Sequence, residues 1–357
     1  MSHLLIHKTQ LNKTQQTTDS KPELEEGEIL FKIDRYALTT NNITYAVCGF
    51  NLKYWDFFPS KIEGWGIIPV WGFAEVVESR HAAIEVGERC YGYFPMADYL
   101  KVTAGKISEY GFSDVVAHRR ALSPIYNYYT RLAADPSFDE VLADYLPIIK
   151  PLFATSFLIY HFLKESQFFE AEQVILTSAS SKTALALAYM LKQEQAADGK
   201  KIIGLTSARN VDFVASTGYY DLVMTYDDYA EKLTITPSAI VDFAGNATLL
   251  QDCNGVLGDD LKNIVLVGLT DWQSDKSFKE VPKSAFFFAP THIQQKYQEW
   301  GAEKTNSLLN SALMGFVKDV KNMIELEYVT DKDTLTQLYL EMLGGKVNPK
   351  KGYIVKI

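Results

Sequence analysis

Residues 173–192 read Q-V-I-L-T-S-A-S-S-K-T-A-L-A-L-A-Y-M-L-K, and after a short polar gap residues 201–209 read K-I-I-G-L-T-S-A-R. An apolar strand (Val174–Thr177) enters a turn of small residues (Ser178–Ser181). An Ala/Leu-rich helix (Lys182–Lys192) follows, then a second apolar strand (Ile202–Thr206). That order is a βαβ unit, which aims a helix N-terminus at a ligand phosphate. The glycines usual at such a turn are missing, so the site rests on shape and on side-chain chemistry.

The alternation continues outward from this unit. Strands are expected near 174–177, 201–206, 221–225, 238–243, 262–268 and 284–288, with helices near 182–195, 210–217, 246–257 and 293–320. Six strands with helical connections make an α/β domain with an open parallel sheet covered on both faces. Residues 1–130 read differently. Glu28–Arg35 (E-I-L-F-K-I-D-R), Val70–Glu78 and Arg89–Phe94 alternate as strands, and E-V-G-E at Glu85–Glu88 is a turn. Short strands at irregular intervals point to a barrel or sandwich. Helical patterning spans Asp139–Leu163, with breaks expected at Pro147 and Pro151. A last helix (Asp333–Leu343), a Gly344-Gly345 turn and a strand (Gly352–Ile357) close the chain. That strand is expected to rejoin the first domain, giving domains at 1–150 with 321–357, and at 151–320.

The bulk numbers narrow the function. At 357 residues the chain has room for two domains. Its 47% apolar and 22% charged content is that of a soluble globular protein. A net charge of −9 argues against a general nucleic-acid surface and leaves room only for a local basic pocket. Three widely separated cysteines (Cys48, Cys90, Cys253) argue against a disulfide framework and for a reducing, cytoplasmic compartment. No secretory signal is read at the N-terminus. The most apolar stretch, Leu146–Leu163, is interrupted by Lys150, Pro151 and His161, so it reads as a buried helix and not a membrane span.

Several segments, in order, carry a resemblance. Glu26–Ile33 (E-G-E-I-L-F-K-I) opens it, followed by Ile68–Glu78 (I-P-V-W-G-F-A-E-V-V-E) and Ile84–Gly92 (I-E-V-G-E-R-C-Y-G). Ala208–Asp228 links two strands, Ala239–Leu249 (A-I-V-D-F-A-G-N-A-T-L) is similar to "D-V-V-F-D-x-x-G", and G-G-K-V-N-P-K-K-G-Y-I-V-K-I closes the chain. Together they resemble the medium-chain dehydrogenase/reductase superfamily in its zinc-free, quinone-oxidoreductase-like branch, and within it a bacterial group of unassigned function. The resemblance implies a Rossmann-type cofactor domain, a mainly-β GroES-like catalytic domain and a homodimer. The positions where zinc-binding members have Cys and His read Tyr36–Asn42 (Y-A-L-T-T-N-N) and Trp71–Glu75 (W-G-F-A-E) here. Neither supplies a thiolate or imidazole, so zinc is not expected.

The resemblance places a dinucleotide pyrophosphate over Ser178, Ser180, Ser181, Lys182 and Thr183. Ser181 suits a helix N-cap, while Lys182 and Thr183 add a cation and a hydroxyl to an end that already favours anions. The other reading is an ordinary capped helix in a fold that has lost its nucleotide. After the second strand, Thr206, Ser207 and Arg209 stand where an acid would select NAD. Hydroxyls and a guanidinium suit a 2′-phosphate, so NADP(H) is expected. The alternative for Ser207 and Arg209 is a helix cap followed by a solvent-exposed side chain. Tyr226, Gly245, Gly268, Phe288 and Thr155 are the further positions that the resemblance places along the cofactor, with packing as the alternative for Tyr226 and Thr155.

For catalysis, Tyr45 is the candidate proton donor and Asn42 the residue that orients it. The alternatives are a core aromatic, among the 21 tyrosines, and a turn or cap residue. His118-Arg119-Arg120 is read as a solvated loop, or as a contact for an acidic substrate. The aromatics Tyr45, Phe50, Tyr54, Trp55, Phe57, Phe58, Trp65, Trp71 and Phe73 line a flat apolar pocket or fill the core. The leading expectation is a zinc-independent, NADPH-dependent reductase of a small quinone or an activated alkene or carbonyl, with no nucleic-acid or membrane partner. A non-enzymatic sensor or scaffold on the same fold is the alternative. An S-adenosylmethionine site is a third, weakened by the lack of an acid after the second strand.

Overall fold

Glu28–Leu38 forms one continuous strand that runs on past the sequence alternation, which ends at Arg35. The structure, a computed structural model, describes residues 2–135, 138–267 and 281–357. In chain order its elements are β1 (Ser2–His7), β2 (Thr14–Thr18), β3 (Glu28–Leu38), α1 (Thr40–Val47), β4 (Trp65–Gly66), β5 (Pro69–Ser79), β6 (Arg89–Pro95), β7 (Tyr99–Gly105), β8 (Gly111–Asp114) and β9 (Tyr128–Arg131). Next come α2 (Leu146–Glu165), β10 (Gln173–Leu176), α3 (Lys182–Gln193), α4 (Gln195–Asp198), β11 (Lys201–Thr206), α5 (Val211–Ser216), β12 (Leu222–Thr225) and α6 (Tyr229–Lys232). They are followed by β13 (Ser238–Asp242), α7 (Ala247–Leu257), β14 (Leu261–Leu266), β15 (Ser284–Phe286), α8 (Ala289–Trp300) and α9 (Ala302–Val320). The chain ends with β16 (Glu325–Val329), α10 (Lys332–Leu343) and β17 (Lys351–Lys356). It divides into two compact units, Met1–Ile148 with Ile324–Ile357, and Ile149–Met323.

The length of β3 organises the first unit. Its N-terminal half pairs with β7 (Glu28 opposite Thr103), its C-terminal half pairs with β17 (Leu38 opposite Tyr353), and β5 runs along its other edge. The β3–β7 pairing closes the ring β3-β5-β6-β9-β8-β7, while β16 and β17 extend the sheet beyond the ring. Closure removes free strand edges. Phe31, Phe94, Phe112 and Tyr129 fill the interior, with ring centroids 5.1–6.0 Å apart. Gly92 makes room for this packing, since a Cβ there would lie 2.3 Å from Tyr129 Cδ1.

Arg119 is not solvated: it is 1% exposed. Its Nε donates to Asn127 Oδ1 (2.9 Å), Nη1 to Asp114 Oδ2 and Tyr129 Oη (both 3.0 Å), and Nη2 to the Tyr126 carbonyl (2.5 Å). A guanidinium is tolerable in an aromatic interior only when its N–H fork is met this fully.

In the second unit the strands are parallel, in the order β12-β11-β10-β13-β14-β15. That is the doubly wound 3-2-1-4-5-6 arrangement, whose direction reverses between β10 and β13. Every residue of β10 and β13 is buried, as strands covered on both faces require. The apolar stretch Leu146–Leu163 lies within α2, and Ile148, Ile149, Phe153, Phe157, Leu158, Ile159 and Leu163 are all at most 2% exposed. The breaks expected at Pro147 and Pro151 do not occur. Pro147 falls in the first turn, where a helix N–H has no intrahelical acceptor, and the helix runs on through Pro151. The expected helix 293–320 instead starts earlier and divides at Gly301 (φ +83°), which ends α8.

The link from α2 to β10 is strained. Gln167, Phe168, Phe169 and Glu170 all have φ between +50° and +62°. A left-handed conformation costs a side-chain-bearing residue about 1–2 kcal/mol. Burial of Phe168 (4% exposed) and Ala171 (0%) holds the segment there.

Two outcomes are expected from urea denaturation. Gln167→Gly, at an exposed site, stabilises the second unit by about 0.5–1 kcal/mol, the relief of left-handed strain less the added freedom of the unfolded glycine, whereas Gln167→Ala does not. Arg119→Met destabilises by about 3–5 kcal/mol because Asp114 is left charged and buried, and adding Asp114→Asn recovers part of the loss.

Candidate functional site

The switch point in the second unit is held by a polar clasp at the carboxyl ends of two neighbouring strands. Thr177 and Asp242 follow and end the neighbouring strands β10 and β13, and both are fully buried. The Thr177 hydroxyl donates to Asp242 Oδ1 (2.5 Å) and accepts from the Phe243 N–H (2.9 Å). Asp242 also accepts from the N–H groups of Ala244 (3.2 Å) and Gly245 (2.9 Å). These bonds fold the chain back after β13, with Gly245 buried at φ +74° and Asn246 capping α7 through the Leu249 N–H. Neither Thr177 nor Asp242 was singled out from the sequence as functional. The signal for Asp242 is an acid closing the apolar run A-I-V-D-F-A-G.

The turn between β10 and α3 forms without glycine. Ser178 takes the left-handed conformation itself (φ +48°), and its N–H donates to the Tyr226 hydroxyl (2.8 Å). Ala179 is buried against Gly204 of β11, where a Cβ would lie 3.0 Å from Ala179 Cβ and 2.9 Å from Tyr220 Cδ1. Tyr220 also donates to the Ala179 carbonyl (2.9 Å). Ser180, 7% exposed, accepts from Asn210 Nδ2 (3.0 Å) and from the Thr206 hydroxyl (3.5 Å). Ser181 caps α3 by accepting the Ala184 N–H (3.2 Å). Lys182 and Thr183 begin the helix, both half-buried, and burial lowers the Lys182 ammonium to about 8. The structure thus gathers Ser178, Ser180, Ser181, Lys182, Thr183, Thr206 and Tyr226 around one helix N-terminus, and adds Asn210 and Tyr220.

The other expected positions fall as follows. Thr206 is 1% exposed and faces Ser180. Ser207 is half-buried ahead of a 3-10 turn, Ala208–Asn210, on which Arg209 is exposed. Burial raises the Tyr226 phenol to about 12, so at neutral pH it remains protonated. Thr155, half-buried in α2, donates back to the Pro151 carbonyl (3.3 Å), and it is the adjacent Ser156 that reaches α3, donating to the Thr183 carbonyl (2.7 Å). Phe288 is half-buried at the start of α8. Gly268 lies outside the described residues.

In the first unit, Tyr45 is 5% exposed on α1 and its hydroxyl accepts from Trp71 Nε1 (3.1 Å). Its ring lies 4.5 Å from Tyr54 and 5.6 Å from Tyr93. Burial raises the Tyr45 phenol far above its ordinary range, with Tyr126 adding to the shift, so it stays protonated at neutral pH. Asn42 does not orient it. The Asn42 Oδ1 accepts from the Thr39 N–H (2.7 Å) and hydroxyl (3.2 Å), and its Nδ2 donates to the Pro69 carbonyl (2.9 Å), which caps α1 and ties it to β5. Of the aromatic stretch, Tyr45, Tyr54, Trp55, Phe57, Phe58 and Phe73 are buried, Trp65 and Trp71 are half-buried, and Phe50 is exposed. His118 lies on the surface beside the Phe57 carbonyl (3.3 Å). Among the described residues, no three His, Cys, Asp or Glu side chains gather closely enough to hold a metal ion.

Comparisons extend this picture. Among solved structures, CurA from Vibrio vulnificus in complex with NADPH superposes with a TM-score of 0.60 at 16% identity, covering 100% of this chain and 99% of that one. The yhdH oxidoreductase from Salmonella enterica in complex with NADP gives 0.57 at 13% identity, covering 100% of both chains. The quinone oxidoreductase from Coxiella burnetii gives 0.56 at 16% identity, covering 100% of this chain and 99% of the other. At such identities the likeness shows the fold, which is that of the medium-chain dehydrogenase/reductases. No curated protein matches the chain. A family model described as "Protein of unknown function (DUF2855)" matches residues 36–348, most of the sequence, and the chain belongs to that family.

Proposed function

We propose that this chain is an NADPH-dependent reductase of a small quinone or an activated alkene or carbonyl, working without zinc. One observation carries the reading: at the switch point of a 3-2-1-4-5-6 sheet, a tight turn of small hydroxyl-bearing residues leads into a helix whose first residue is lysine. The residues fit a pyrophosphate. Ser178 makes the turn that glycine makes elsewhere, and the buried Ala179 Cβ sits against Gly204. Asn210 donates to Ser180 Oγ, so the Ser180 proton is directed to another acceptor. The Thr183 N–H belongs to the first turn, which a helix leaves without internal acceptors. Ser207 and Arg209 would hold a 2′-phosphate, and Gly245, Gly268, Phe288 and Thr155 would lie toward the nicotinamide.

Bound NADPH supplies the hydride. Tyr45 holds the proton, kept on its phenol by burial, and the aromatic surroundings exclude water. The likeness to structures described as NADPH or NADP complexes supports the reading. The three cysteines are buried and unpaired, which suits a reducing cytoplasm. A homodimer is proposed on β15, which ends the sheet with Ala285 and Phe286 exposed. One observation favours the non-enzymatic alternative: the Ser178 N–H is already taken by Tyr226.

Isothermal titration tests the assignment. NADPH is expected to bind in the micromolar range and NADH much more weakly, while binding of neither supports the sensor or scaffold. Lys182→Ala and Arg209→Ala each weaken NADPH binding about tenfold, roughly 1.4 kcal/mol, and Arg209→Ala leaves NADH unchanged. The Lys182 charge is present below pH 8 and lost above it. NADPH affinity therefore falls by up to about tenfold from pH 7 to pH 9, a dependence absent in Lys182→Ala. Light scattering is expected to give twice the 40.3 kDa chain mass, and the chain mass itself would remove the dimer.

A further inference from the structure

In the small antiparallel sheet β2-β1-β4, the edge strand β2 pairs with β1 alone. The His7 N–H donates to the Lys13 carbonyl (3.0 Å), while the Leu4 N–H turns the other way, to the Met96 carbonyl (3.1 Å). Alternate residues of an antiparallel strand face opposite edges. Gln15 and Thr17 therefore face β1, and Thr14, Gln16 and Thr18 direct their N–H and C=O groups outward. Among the described residues no backbone hydrogen bond reaches these outward groups. Native edge strands are commonly blunted by charge, proline or a bulge, and T-Q-Q-T-T has none of these.

Beside this edge, α10 forms the other wall of an open cleft of about 590 Å³. Its Asp333, Thr336, Gln337 and Leu340, spaced i, i+3, i+4 and i+7, share one helix face and line the cleft with Thr14 and Gln16. Gln16 Nε2 donates to the Lys332 carbonyl (3.0 Å) and to the Thr336 hydroxyl (3.4 Å), so the two walls are already joined. The first turn of α10 thus lies beside Gln16. The Tyr339 hydroxyl donates to the Leu11 carbonyl (2.8 Å), so the helix runs from there towards the Thr14 end. Both elements belong to the first unit.

Three features define the occupant. Backbone donor–acceptor pairs recurring every second residue, about 7 Å apart, match an extended peptide and not a compact small molecule. Asp331 and Asp333, both exposed, outweigh the intervening Lys332, so one end of the cleft attracts a cation, as does the chain's net charge of −9. Leu340, 39% exposed towards the other end, offers contact to an apolar side chain. We propose that this cleft binds an extended segment of a partner protein that adds to the sheet antiparallel to β2, with a lysine or arginine at Asp333 and, further along the segment, an apolar side chain at Leu340. The surface is separate from the cofactor-binding turn and does not depend on the reductase reading.

Fluorescence anisotropy of the full chain tests it, with the fluorescein-labelled peptide KTVTL-amide as probe. Its lysine, valine and leucine face α10, opposite Thr18, Gln16 and Thr14. Wild type is expected to bind it, and to bind ETVTL-amide at least tenfold more weakly. N-methylation of the valine keeps every side chain but removes the N–H aimed at the Gln16 carbonyl, and is expected to cost tenfold or more. N-methylation of the second threonine, whose N–H faces away from β2, is expected to change affinity less than threefold. Asp333→Lys reverses the preference between the two peptides. No binding of KTVTL-amide by wild type, equal binding of the two charge forms, equal effects of the two N-methyl groups, or an unchanged preference in Asp333→Lys each overturns the proposal. A particle mass that falls on Gln16→Pro also overturns it, and assigns the edge to a second copy of the chain.

Discussion

The second unit depends on how two adjacent parallel strands are joined at their carboxyl ends. Between β10 and β13 the chain leaves in opposite directions, and the carboxyl ends of the two strands would otherwise carry buried, unmatched backbone groups. Thr177 and Asp242 meet that demand with one side-chain bond and four bonds from three backbone N–H groups. The cost of burying a carboxylate is offset by these donors, two of them backbone N–H groups of the turn it organises. The geometry of the turn into α3 follows, because Thr177 immediately precedes the turn-forming Ser178.

The turn itself shows what glycine does and how it can be replaced. Only one residue of the turn, Ser178, takes a positive φ, and it is held there by Tyr226. Ser181 sits at φ −70°, which any residue adopts, and there a hydroxyl improves on glycine by capping the helix. Close packing against β11 falls to Ala179 over Gly204, so the required glycine lies in the neighbouring strand and not in the loop. Loss of the usual glycine pattern therefore leaves the shape of the turn intact.

The first unit follows a different logic. Its barrel is closed by one long strand that serves two partners, and its interior is aromatic to the point of needing internal polar fixtures. Arg119 supplies one, joining Asp114, Asn127, Tyr129 and the Tyr126 backbone in a fully engaged network that also brings the guanidinium over Phe58 (5.0 Å). Satisfied networks of this kind make an interior specific as well as stable.

Much of this architecture was legible in residue order alone. Apolar runs between helical segments marked the strands of the second unit to within a residue or two, and Lys201–Thr206 matched outright, because the middle of a strand buried on both faces must be apolar. The helix start at Ser181-Lys182 was readable from the cap residue, while the last strand was expected only to rejoin the first domain, and its pairing with β3 came from the structure. Other features depended on contacts distant in sequence. Burial of Phe168 imposes the left-handed run at Gln167–Glu170, and α2 continues through Pro151 because its apolar faces are covered. Arg119 reads as a surface arginine until Asp114, Asn127 and Tyr129 converge on it. Asn42 reads as a catalytic neighbour of Tyr45 until Thr39 and Pro69 claim its amide. Periodicity and capping are local, so the sequence by itself determined the elements and the position of the turn between β10 and α3. Which side chain meets which across the barrel or the sheet is decided only on folding, because a hydrogen-bond partner is set by distance in space and not along the chain.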